Sequence, residues 1–168
     1  MHKCLLVFVL VFLGASTLVA QWSGDPTVNN PICLALRPQV RPKVATDGAG
    51  GAIFTWKDSR NDFGGGSDTT EVYAQRINAS GSVQWTVNGV SICTALSQVS
   101  QIVSDDAGGA IISWNDFRSG NVIDSADVYA QRINASGIAQ WPVNGVPICT
   151  YPLRQVNGPI VSDGAGGA

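Results

Sequence analysis

Asp105-Asp106-Ala107-Gly108-Gly109-Ala110, then Trp114-Asn115-Asp116-Phe117-Arg118, Val128-Tyr129-Ala130-Gln131-Arg132-Ile133-Asn134-Ala135-Ser136-Gly137 and Trp141-Pro142-Val143-Asn144-Gly145, form the stretch whose reading decides the fold. It is a repeat. An earlier copy runs through Asp47-Gly48-Ala49-Gly50-Gly51-Ala52, Trp56-Lys57-Asp58-Ser59-Arg60 and Trp85-Thr86-Val87-Asn88-Gly89, and its ten residues Val72 to Gly81 are identical to Val128 to Gly137. A third copy opens at Asp163 and reaches Ala168. The Asp-led turn recurs every 58 residues, whereas Trp85 to Trp141 is 56. The slack falls in one loop: eleven residues from Asn61 to Glu71, nine from Ser119 to Asp127. Constant strands with variable loops mark one structural unit repeated in space.

Within a unit the pattern predicts four strands. A short apolar segment, Gln101 to Ser104 or its counterpart Pro159 to Ser162, leads into the Asp-led turn, whose glycines permit a tight hairpin. Gly109 to Asp116 reads as the second strand, with Ile111, Ser113 and Asn115 on one side and Ala110, Ile112, Trp114 and Asp116 on the other. Asp127 to Ile133 is the third, ending in the Asn134–Gly137 turn, and Ile138 to Val143 is expected as the fourth. No segment sustains a 3.6-residue apolar period, so no helix is expected in the mature chain.

Four antiparallel strands per unit of just under sixty residues, stacked by repetition, is the signature of a β-propeller blade. The units are expected at about 38–96 and 97–152, with a partial unit at 153–168. The pattern D-G-x-G-G-A…W-x-D-x-R…Y-A-Q-R-I-N-A-S-G…W-x-x-N-G resembles the repeats of secreted bacterial propeller-like proteins, over nearly all of residues 22–168. The middle copy departs from it in carrying Asp106 where the others have Gly48 and Gly164. The resemblance implies an all-β propeller, and a cell-surface destination, since many such relatives bear a C-terminal sorting domain. Ser104-Asp105-Asp106-Ala107-Gly108 is also similar to the Asp-box turn of sialidase-like propellers. Ile111 stands where that motif has an aromatic residue, however, and Asp47 is one place out of register, so the stretch is read as a turn only.

A propeller closes by joining its last blade to its first, which removes open sheet edges. This chain offers a fourth-strand piece near Trp22, two whole units and the opening of another. The expectation is therefore a truncated propeller whose remaining blades belong to a longer protein, with a ring completed by self-association as the alternative.

Met1 to Ala20 has the layout of a secretory signal peptide: Lys3, an uncharged apolar run from Cys4 to Leu13, and small residues before Ala20. Cleavage after Ala20 leaves a region 21–168 with no later segment apolar enough to span a membrane. A secreted or cell-surface location follows. Ten Lys and Arg stand against twelve Asp and Glu, which gives no electrostatic footprint for nucleic acid. The sole histidine, His2, lies in the leader, so no Ser-His-Asp triad, Cys-His pair or histidine metal site is expected in the region after it. Cys33, Cys93 and Cys149 each follow Ile at one place of the repeat and read as small buried residues rather than a disulfide or metal set.

Asp58 and Asp116, Arg60 and Arg118, and Arg76 and Arg132 recur in register. The acid at the end of strand two is expected to pair with the Arg of strand three, because buried charges need partners, the alternative being a set of acids and guanidinium clamps around a glycan or another anionic ligand. The loops between strands two and three break the repeat and are the better candidates for ligand binding. Asn61, Asp62, Asp68 and Glu71 cluster around Gly64-Gly65-Gly66 in the first, and Asn121, Asp124 and Asp127 occupy the second. Such oxygens suit a glycan or protein ligand; calcium is the one cofactor they admit, although the EF-hand spacing is absent. Trp56, Trp85, Trp114 and Trp141 are expected to pack between blades. Asn78-Ala79-Ser80 and Asn134-Ala135-Ser136 satisfy the glycosylation pattern, but a hairpin turn already accounts for both. Catalysis needs one special acid pair, and the polar groups here are copied. A non-catalytic exported scaffold with a binding or adhesion surface is the first expectation, and a fragment of a glycan-active propeller enzyme using loop carboxylates is the second.

Overall fold

A computed structural model describes residues 25, 27–62, 70–119 and 125–168; the leader, Trp22, Asp68, Asn121 and Asp124 lie outside the described residues. Every regular element among them is a β-strand. β1 (Gln39–Thr46), β2 (Ala52–Asp58), β3 (Glu71–Ile77) and β4 (Val90–Cys93) form one antiparallel sheet in sequence order. β5 (Ser97–Ser104), β6 (Ala110–Asp116), β7 (Asp127–Ile133) and β8 (Val146–Cys149) form the second in the same order. The two registers are superimposable: Trp56 faces Tyr73 as Trp114 faces Tyr129, and Asp58 faces Glu71 as Asp116 faces Asp127.

The first hairpin of each sheet turns on one aspartate. Asp105 Oδ1 accepts the N–H groups of Ala107 at 2.9 Å and Gly109 at 2.8 Å, and Asp47 Oδ1 does the same for Ala49 and Gly51 at 2.8 and 2.7 Å. Close approach, rather than a left-handed backbone, dictates the last glycine of the motif. A Cβ on Gly109 would lie 2.1 Å from the Ile133 carbonyl oxygen, and one on Gly51 would lie 2.2 Å from that of Ile77. The turn is thereby clamped against the end of the third strand.

The first strand is longer than its apolar core suggested. β1 and β5 extend back to Gln39 and Ser97 past an irregularity in register, between Val40 and Lys43 and between Gln98 and Gln101. The fourth strand lies elsewhere than expected. Ile138 to Val143 contributes only the isolated bridge Ile133↔Ala139, and the ladder is completed by Val146–Cys149 on Val128–Ala130. The cause is Gln131, a buried side chain that imitates a strand: its Oε1 accepts the Trp141 N–H at 2.9 Å and its Nε2 donates to the Pro142 carbonyl at 2.9 Å. Gln75 does the same to Trp85 and Thr86. The chain then reverses at Asn144 and Gly145, both at positive φ (63° and 80°), before it can pair. Pro159 to Ser162 likewise joins no strand ladder among the described residues.

The sheets pack face to face, β5 lying against β1, β2 and β3. Ile53, Val72, Ala74, Ile92 and Cys93 of the first sheet meet Ala110, Ile112, Trp114 and Ile133 of the second in one buried cluster. The core therefore lies between repeat units, so neither unit buries its apolar face alone. Ser97 N–H to the Thr70 carbonyl (2.8 Å) fixes the join. The outer faces differ in consequence: Ile92 is 4 % exposed in the interface, whereas its counterpart Ile148 is 60 % exposed on the far side.

Gly109→Ala should cost at least about 2 kcal/mol, because backbone must move to admit the methyl group. Gly48→Ala, which meets nothing within 4 Å and suffers only its positive φ of 74°, should cost about 1 kcal/mol. Urea unfolding of the two variants, read by tryptophan fluorescence, measures the difference.

Candidate functional site

The copied charges converge at the end of the second strand. Asp116 is fully buried, and its two oxygens take four nitrogen donors, Trp114 Nε1 at 2.8 Å, Arg118 N–H at 2.9 Å, Arg118 Nε at 2.7 Å and Arg118 Nη2 at 2.6 Å, with the Cys93 thiol a fifth donor at 3.7 Å. Arg118 Nη2 also donates to the Asn144 carbonyl at 2.6 Å, and its guanidinium lies 3.9 Å above the Tyr129 ring. Asp58 repeats the arrangement with Trp56, Arg60, Asn88 and Tyr73. Trp56 and Trp114 thus occupy like surroundings.

The expected pairing of Asp58 with Arg76 and Asp116 with Arg132 is corrected. Antiparallel register sets Asp58 opposite Glu71 and Arg76 opposite Ile53, five residues further along the strand, or about 17 Å. Each acid instead binds the Arg two residues on: Asp58–Arg60 at 2.7 Å and Asp116–Arg118 at 2.6 Å. Arg76 and Arg132 bind the turn acids, Asp47 at 2.9 Å and Asp105 at 3.0 Å. The W-x-D-x-R spacing is the available signal for the first set; the second needs the hairpin register.

Each knot also reaches into the preceding unit. Arg118 Nη2 lies 3.7 Å from Cys93 Sγ, and Asn144 Oδ1 accepts the Thr94 N–H at 3.0 Å. Arg60 stands 3.5 Å from Cys33 Sγ, and Asn88 Oδ1 accepts the Leu34 N–H at 2.8 Å. Residues 33–34 therefore hold the first unit as the end of β4 holds the second. Cys33, Cys93 and Cys149 are all free thiols; Cys93 alone is fully buried, which raises its pKa. Trp85 is buried between units, donating to the Ala135 carbonyl at 3.0 Å, while Trp141 is half-buried.

The loop acids are drawn inward. Glu71 is buried and receives Asn61 Nδ2 at 3.0 and 3.1 Å. Asp127 is buried and receives Ser119 Oγ at 3.0 Å. Asp62 is half-buried, with its N–H on the Ser59 carbonyl at 2.9 Å. Asp68 and Asp124 lie outside the described residues. Each unit thus sets a second carboxylate beside the first, and Asp127 borders an open cleft of about 530 Å³ lined also by Ser119, Tyr129 and Tyr151. This group can accept hydrogen bonds from a ligand. Among the described residues no three of His, Cys, Asp and Glu gather as metal ligands.

Burial pushes the Asp58 and Asp116 carboxyls up, but the guanidinium and indole donors outweigh it and hold both below the usual range. Asp47 is also lowered, burial being overcome by the Ala49 and Gly51 amides and Arg76. Burial and the neighbouring Glu71 charge raise the Tyr73 phenol.

No helix among the described residues is long and apolar enough to cross a membrane. The chain matches no protein-family model, no curated protein and no solved structure.

Lowered carboxyl pKa values stabilise fully above the unfolded value, about 3.9, and the benefit fades as pH falls through the folded value below it. Unfolding free energy should therefore be level in this respect from pH 7 to about 4.5 and decline below about pH 4. Asp116→Asn should cost about 3 kcal/mol at pH 7 and flatten the acid decline, as chemical denaturation across pH would register.

Proposed function

We propose that the chain is an exported, non-catalytic repeat scaffold of β-propeller type, presenting a binding or adhesion surface for an extracellular protein or glycan. The observation that carries this reading is the fate of its charged side chains. Asp47, Asp58, Arg60 and Arg76 recur as Asp105, Asp116, Arg118 and Arg132, each pair committed to holding a turn or a strand end. A reacting pair is singular and poised near the working pH, and groups copied unit by unit and saturated with donors do not meet that need. What differs between units is the loop from strand two to strand three, and variable loops on a constant frame are where such folds carry specificity.

The blade-type stacking is supported by two four-stranded meanders whose core lies between them, and by the polar joins repeated at each end. Export is supported by the Met1 to Ala20 segment and by the resemblance to secreted repeat proteins. Neither needs an active centre.

Replacing residues 61–70 with residues 119–126 should leave the thermal midpoint within a few degrees, since the flanking strands are equivalent. It should change binding to immobilised glycans and extracellular proteins by at least about tenfold. Glycoside hydrolysis by the unaltered protein that disappears in Glu71→Gln or Asp127→Asn would establish an enzyme instead.

A further inference from the structure

The segment from Leu153 to Ala168 sits on the second unit as β5 sits on the first. Gln155 N–H donates to the Ala126 carbonyl at 2.7 Å, repeating Ser97 N–H on Thr70. Asn115 Nδ2 donates to the Gln155 carbonyl at 2.8 Å, and Asn157, buried, bonds Ser113 through Oδ1 and Nδ2. The Asp163 turn is already formed: its Oδ1 accepts Ala165 N–H at 2.7 Å and Gly167 N–H at 2.9 Å, and these amides lower its pKa. A Cβ placed on Gly166 would lie 3.8 Å from Arg132 Nη2, as one on Gly108 would lie 3.7 Å from Arg76 Nη1.

Three groups on this face have counterparts whose partners are known from the two complete units. Asp163 Oδ2 corresponds to the oxygen that takes Arg76 or Arg132, and among the described residues no guanidinium pairs with it. Cys149 corresponds to Cys33 and Cys93, which lie beside Arg60 and Arg118. The Thr150 N–H corresponds to that of Thr94, held by Asn144. Ile148 and Val161 are 60 % and 75 % exposed, and a cavity of about 410 Å³ runs between the second sheet and the segment, bordered by Ile111, Trp141 and Asp163.

We infer that this face is a preformed receptor for a β-hairpin with the sequence of strands two and three of this repeat, together with the turn that follows them, the counterpart of residues 141–145. The hairpin adds its first strand along 158–162 and seats an Arg on Asp163, a second Arg beside Cys149 and an Asn on the Thr150 amide. Unmet backbone along 158–162 gives affinity, and the charges and side-chain pockets fix register. A generic apolar ligand would satisfy the cavity and leave the carboxylate without its cation.

Ala168 is the counterpart of Ala110, so a copy of residues 111–150 joined after Ala168 continues the repeat in register. The extended chain should melt about 5 °C or more above the native one, and Cys149 should alkylate about tenfold more slowly. Asp163→Asn keeps the turn oxygen but removes the charge; its effect should be small in the native chain, where only the turn amides meet the carboxylate, and it should remove much of the gain in the extended one. Changing the copy's equivalent of Arg132 to Gln should remove the same portion, without further loss in the double variant. An equal gain from a scrambled extension, or none from the true copy, would overturn the inference. So would a native chain that sediments as a dimer with Cys149 already protected, because a second copy would then be the occupant. The docking uses only stacking faces, so its failure would leave ligand binding by the loops untouched, and the loop exchange tests that binding separately.

Discussion

A carboxylate with four nitrogen donors, buried at the end of the second strand, is the interaction on which the rest of this structure depends. Burying a charge without partners costs several kcal/mol, and Asp58 and Asp116 avoid that cost only if the tryptophan two residues before and the arginine two residues after both reach back. Once Arg118 is so placed, its remaining donor meets the Asn144 carbonyl, and its plane covers Tyr129. One acid thereby sets the end of β6, the face of β7 and the turn into β8. It also sets the neighbour, since the same guanidinium and the same asparagine contact the Cys93–Thr94 end of the preceding unit.

Such a junction explains why a sequence so poor in charge can specify one stacking arrangement. Apolar contact alone between Ile53, Ala74, Ile112 and Trp114 would tolerate sliding, because hydrophobic burial is non-directional. The Cys–Arg–Asp and Thr–Asn contacts are directional, and a slip by one residue would strand every one of them. Stability then adds along the stack, each unit contributing its own fold and one interface. The Asp-led turns serve the same end, clamping the first hairpin to the third strand of their own unit while lying against the arginine of the unit before.

The strand content is legible because period-two alternation and exact repetition both survive in one dimension. The alternation bounds β7 to the residue, and β6 nearly so. The fourth strand departs from its expected place for a reason that composition does not reveal: Gln131 supplies through its side chain the amide pairing that a strand supplies through its backbone. A glutamine in a strand ordinarily reads as solvent-facing. The ion pairs differ from expectation because register, not proximity in the motif, decides which end of a hairpin a side chain occupies. Of the loop acids, Glu71 and Asp127 stand out in the sequence, but as groups turned to solvent; Asn61 and Ser119 draw them in, and the sequence carries that only as an amide or hydroxyl ten or eight residues earlier.

Repetition itself limits where function can reside. A substitution that tunes one copy of the knot for chemistry would weaken one junction and gain nothing from the others, so copied positions are held by packing. The loops escape this constraint, since eleven residues and nine close the same hairpin at nearly the same entropic cost. Glu71 and Asp127 mark the boundary between the two regimes. Each is copied as an acid opposite the buried carboxylate, yet each is held by a loop residue of different kind, an amide in one unit and a hydroxyl in the other. The frame therefore fixes an acidic group at the loop base in both units, and the loop decides which polar group stands beside it.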